Sequence, residues 1–262
     1  MSRATLQQQE TAAHRRLLLR GDTTRWANAS TQCFVTGRNE WVEGDGWPTR
    51  TDAVRELYLA SEGSANTRRG DGSLTETTVI SGATDEIVYN PAVPVEFQSN
   101  FRSFAASEWS LGLDQGHLTA RDEAIVYTSA PLAEPLTAWG RPTVTITVQC
   151  STVDADLYIL LSDVFPLGSR DLHLSHAAMR LAALPDFTPK EPLAITLEMD
   201  EIAHDFLAGH SVRLTVVPSL FPAYARNLHQ KDYLNATSPV LSTITVLHGA
   251  ANKGSLRLPV VK

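Results

Sequence analysis

The sequence predicts a mainly β protein in which two sheets pack face to face. Three observations carry this. From about Ile125 to the C-terminus, segment after segment alternates apolar and polar residues with a period of two. Few helical signals intervene, and Gly/Pro-rich stretches punctuate the chain. At 262 residues with 43% hydrophobic and 19% charged residues, the chain can bury a sizeable core and is not disordered over its bulk.

In chain order, residues 4–20 read as one helix: Ala12, Ala13, the Leu17–Leu19 run and the early glutamines are good helix formers, and Gly21 is a natural stop. Cys33-Phe34-Val35-Thr36 reads as a short strand ending at Gly37. Residues 43–50 (EGDGWPTR) are rich in turn formers, which divides the chain into 1–42 and 43–262. Beyond that linker each strand offers one apolar face. Val144, Ile146 and Val148 share a face of TVTITV, and Ile195, Leu197 and Met199 share one of the next segment. Val212, Leu214 and Val216 do the same, followed by Ile244 and Val246, then Leu256, Leu258 and Val260. Such alternation predicts strands with one buried and one wet face. Ser175–Ala183 (SHAAMRLAA) is the exception and reads as a short helical insert.

A formal charge of −7 argues against nucleic acid and anionic membrane surfaces, and the pairs Arg15-Arg16 and Arg68-Arg69 are too short to reverse that. No stretch approaches the roughly 20 consecutive apolar residues of a membrane span. The N-terminus, polar from Gln7 to Glu10, does not resemble a secretory signal, so a cytoplasmic protein is expected. In that compartment Cys33 and Cys150 are expected to be reduced thiols.

No Gly-x-Ser-x-Gly elbow occurs, so no catalytic residue is assigned. Gly70-Asp71-Gly72-Ser73 lacks the elbow spacing and reads as a turn. Glu201, His204, Asp205 and His210 look like metal donors in sequence, but a loop between strands would scatter them. His173 and His176 are weaker still, and Asp154 with Asp156 reads as a capped carboxylate pair rather than a calcium site. Neither a metal nor a cofactor is expected. Phe101, Phe104 and Trp109 lie in a segment without strand character, where aromatics either form a contact surface or plug the end of the sandwich.

Eight loop phrases are more specific than the alternation. They are FVTGRNEW…WP (34–48), ELYLASEGSAN…GDGSL (56–74), DEIVYNPAVPV (85–95), LDQ (113–115), ARDEAIVYTSAPL (120–132), DADLYILLSDVFPLG (154–168), AGHSVRLTVVPSLFPAYARN (208–227) and GSLRLPVV (254–261). In this order and spacing they resemble the C-terminal domain of the X-prolyl dipeptidyl-peptidase and cocaine-esterase (CocE/NonD) family of serine hydrolases. Two positions depart from the family pattern: Ala225 stands where an Asp is common, and Leu113 where a proline is common.

The resemblance implies a jelly-roll sandwich like galactose-binding modules, following an α/β-hydrolase domain that carries a Ser-Asp-His triad. It also implies that AAHRRLLLRGD (12–22) is the last helix of that hydrolase domain, making residues 1–42 a remnant of it. The expected role is a non-catalytic accessory domain, although family labels would read hydrolase or dipeptidyl-peptidase. The partner implied is a separately encoded α/β-hydrolase subunit or a second copy of the chain. Leu17 and Leu18, with Phe101, Phe104 and Trp109, would form the docking surface. The alternative is a stand-alone module that binds carbohydrate or another protein.

Overall fold

The computed structural model describes residues 31–44, 53–78, 81–97, 113–249 and 251–261. The expected helix at 4–20, Leu17, Leu18, Phe101, Phe104, Trp109 and most of the 43–50 linker lie outside the described residues.

Two strands, β1 (Thr31–Val35) and β2 (Glu40–Gly44), form an antiparallel hairpin of their own. The other strands are β3 (Ala53–Ala60), β4 (Ser73–Thr75), β5 (Thr84–Tyr89), β6 (Ile125–Ser129), β7 (Leu136–Gly140), β8 (Thr143–Cys150) and β9 (Asp156–Val164). They continue as β10 (Asp171–Arg180), β11 (Leu193–Glu198), β12 (Ile202–Phe206), β13 (Ser211–Val217), β14 (Ser242–Leu247) and β15 (Ser255–Val261). Hydrogen bonding links them in the order β10-β9-β13-β6-β4-β3-β15-β8-β14-β5, with β11 on β8 and β7 joining β12 to β15. The ribbon narrows to three residues at β4, and the two halves on either side of it share one core.

That core follows the period-two pattern. Val144, Ile146 and Val148 on one side, and Val212, Leu214 and Val216 on the other, are all within 1% of complete burial and belong to the same cluster. Ile195, Leu197, Met199, Ile244, Val246, Leu256, Leu258 and Val260 are also buried in it. The sandwich is therefore held by apolar burial between two sheets, as the alternation requires.

Three local expectations are corrected. Ser175–Ala183 is not a helix: it is the end of β10 followed by a 3-10 turn at Leu181–Ala183. Its alanines favour a helix, but β10 pairs with β9 from Asp171 to Arg180, and that ladder outweighs local propensity. Second, β9 and β13 have no wet face, since all their residues are buried. Third, His204 and Asp205 lie on strand β12 rather than in a loop.

Candidate functional site

Among the described residues, backbone hydrogen bonds join the hairpin to the sandwich at Thr36. Just beyond β1, Thr36 lies beside the edge of β12. Its N–H donates to the Ala203 carbonyl at 3.0 Å, and its own carbonyl accepts from Asp205 N–H at 2.9 Å. Gly37 makes this approach possible: its φ is +87°, and a Cβ there would stand 2.2 Å from the Asp205 carbonyl oxygen. Arg38 adds a 3.5 Å ion pair to Asp205.

Beneath this junction lies a buried polar chain that crosses between the sheets. The Thr36 hydroxyl is 2.8 Å from His204 Nδ1, and His204 Nε2 is 3.2 Å from Asp163 Oδ2 on β9. His210 Nδ1 reaches both oxygens of the same carboxylate at 2.9 Å. A carboxylate oxygen accepts, so His204 Nε2 and His210 Nδ1 both donate to Asp163. The alternation explains this placement. Leu157, Ile159, Leu161 and Asp163 have the same parity on β9, so Asp163 occupies a core position at the end of an apolar row. Such a group stays buried only when fully hydrogen-bonded.

The chain has the outline of a hydroxyl–imidazole–carboxylate relay, but it serves as a tether. The Thr36 hydroxyl also lies 3.1 Å from the Ala203 carbonyl. The N–H groups of Thr36 and Asp205, which would have to serve an oxyanion, are spent on the bridge. A cleft of about 340 Å³ opens beside the tether, between the hairpin and strands β10 and β12. Cys33, Phe34 and Thr36 form its hairpin wall. Cys33 is half-buried, and burial pushes its thiol pKa up, away from a reactive thiolate. Phe34 and Trp41 pair across the hairpin with ring centroids 5.3 Å apart and planes tilted by 59°. They remain 38% and 40% exposed, which makes them the hairpin's apolar surface.

The other residues picked out in the sequence have different fates. Glu201 turns outward to Arg141 at 3.1 Å, so the Glu201–His204–Asp205–His210 set is divided among three environments. Among the described residues no group of three or more His, Cys, Asp or Glu is arranged to hold a metal ion. Asp154 is clamped by Arg180, whose Nη2 is 2.7 Å away. Asp156 accepts from Asn227 at 3.0 Å and Tyr158 at 3.2 Å, while burial pushes its pKa up. Asp71 accepts from the N–H groups of Glu62 and Ser64, so the Gly70–Ser73 stretch is a braced turn. Arg226, beside Ala225, donates to the Pro91 carbonyl at 3.1 Å. Cys33 and Cys150 are both free thiols.

Comparison with known proteins decides the family. The model of the X-Pro dipeptidyl-peptidase C-terminal non-catalytic domain matches residues 6–257. The chain belongs to this family. It is 27% identical over 254 residues to cocaine esterase of Rhodococcus sp. (strain MB1 Bresler), an alignment covering 93% of this chain and 44% of the esterase. The fold matches an aminopeptidase from the marine sediment archaeon Thaumarchaeota archaeon with TM-score 0.78 and 25% identity, over 95% of this chain and 44% of the aminopeptidase. An α-amino acid ester hydrolase matches with TM-score 0.74 and 28% identity, over 88% of this chain and 41% of its own. The chain thus spans less than half the length of each of these relatives.

Proposed function

We propose that this domain docks a serine-hydrolase catalytic domain of the α/β type and holds it through the hairpin face. The observation that carries this reading is the exposed Phe34–Trp41 pair on a hairpin whose position is fixed by a buried tether. An apolar surface held at fixed geometry suits protein docking, because little ordering entropy remains to be lost on binding. The family's description as the non-catalytic part of X-Pro dipeptidyl-peptidases supports a hydrolase as partner. Jelly-roll winding and a cytoplasmic setting are part of the reading, supported respectively by antiparallel pairing between strands distant in sequence and by the two free thiols.

A carbohydrate-binding role is favoured less. A sugar ring stacks on a flat aromatic platform, and the 59° tilt between Phe34 and Trp41 does not provide one.

The test is capture followed by activity labelling. The immobilised chain is incubated with lysate of its own organism, and the retained proteins are treated with a fluorophosphonate probe. A labelled hydrolase should be retained, and the Phe34→Ser/Trp41→Ser variant should lose it. Absence of any labelled protein, or equal retention by the double variant, would overturn the reading.

A further inference from the structure

The sheet that carries β11 ends at that strand. β11 pairs with β8 from Leu193 to Glu198 and with no other strand among the described residues. In the same register Met199 N–H donates to the Pro142 carbonyl, which turns the odd-numbered residues of β11 toward β8. The N–H and C=O groups of Ala194, Thr196 and Glu198 therefore point away from the sheet, and all three residues are exposed. Nothing within the strand blunts this edge. Leu193–Glu198 contains no proline, lysine or glycine, and its register on β8 runs without a bulge. The open stretch also has defined ends. Pro192 precedes it and has no N–H, and beyond it the Asp200 carbonyl already accepts from the Ser175 hydroxyl at 2.7 Å.

An open sheet edge is a template for one more strand, and the residues of β11 suit β11 itself. Laid antiparallel on a second copy with a two-fold axis at Thr196, the strand pairs Thr196 with Thr196 and Ala194 with Glu198. Every open N–H and C=O then has a partner, and no like charges stand opposite one another. Each Glu198 keeps its own counter-ion, Arg141 at 3.6 Å. On the dry face Ile195 falls opposite Leu197 of the other copy, so the apolar row continues across the join. The pairing stops where the open stretch stops: Asp200 would face Pro192 of the other copy, which has no N–H for a carbonyl that is already taken. Moving the axis to Glu198 would set two glutamates face to face, and moving it toward Ala194 would set Glu198 against Pro192. We infer that the β11 edge pairs two-fold with the β11 edge of a second copy, joining two sheets into one. The edge shares no residue with the hairpin face, and the inference does not rest on the hydrolase reading.

The test is sedimentation velocity of the full chain from micromolar to millimolar concentration, with amide exchange followed over the same series. A monomer–dimer equilibrium is expected, with the Ala194, Thr196 and Glu198 amides gaining protection as the dimer forms. Thr196→Lys places two ammonium groups opposite each other and should weaken the dimer about fivefold, as should Thr196→Glu with its two carboxylates. An equimolar mixture of the two variants should recover at least the parental affinity, which variants that merely misfold would not do. The inference is overturned if the chain stays monomeric throughout, if it associates without protecting those three amides, or if the mixture is as weak as either variant alone. It is equally overturned if Phe34→Ser/Trp41→Ser abolishes association, since the second copy would then sit on the hairpin face.

Discussion

Asp85 is fully buried at the centre of a network that closes one side of the core. Its carboxylate accepts from the Ser61 hydroxyl, Ala65 N–H and the Tyr127 hydroxyl, and His248 Nε2 lies 2.7 Å away. Burial alone would push its pKa up, but the bonds from His248, Ala65, Ser61 and Tyr127 outweigh it and hold the value below the ordinary range. A depressed folded value means that the unfolded chain binds the extra proton. The stabilisation is therefore present above the ordinary carboxylate range and disappears as pH falls through Asp85's own lower value. Asp85→Asn should cost about 3–5 kcal/mol at neutral pH, as when a buried charged partner is removed, and should flatten the acid limb of the stability profile. Urea melts between neutral and acid pH measure both effects. Leu214, also fully buried, should cost about 2–5 kcal/mol when replaced by Ala, read as a lower denaturation midpoint.

Among the described residues, the hairpin's backbone hydrogen bonds to the sandwich run through Thr36. Gly37→Ala places a methyl group against the Asp205 carbonyl, so the Thr36–β12 bridge must open. Amide exchange at Asp205 should speed up severalfold while β8 and β13 stay protected; unchanged protection at Asp205 would show that the bridge tolerates the side chain. Elements of this kind are only partly legible in sequence. The β8, β11, β13, β14 and β15 rows were readable because burial alternates with the pleat. The β10 segment was not, because His-Ala-Ala-Met is locally helix-prone and only its partner β9 makes it a strand. The tether is not legible in sequence for a related reason: His204 and His210 stand close to Glu201 along the chain, while their shared partner Asp163 lies 41 residues from His204. Its one local signal was an Asp on the apolar parity of Leu157, Ile159 and Leu161.

At the scale of the molecule, the chain is a β-sandwich from the non-catalytic side of a hydrolase family, with polar chemistry committed to holding its parts together. The Thr36–His204–Asp163–His210 chain fixes the hairpin, the Asp85 network braces the 61–72 loop, and Asp154 and Asp156 secure the ends of β9 and β10. None of these places a nucleophile beside vacant oxyanion donors, which acyl transfer requires. The role proposed for this domain is to assist a hydrolase catalytic domain. Incubating the purified chain with a fluorophosphonate probe, an aryl ester and an X-Pro anilide is the decisive measurement. No covalent labelling and no release above the buffer rate are expected; stoichiometric labelling of a serine accompanied by turnover would overturn the accessory role.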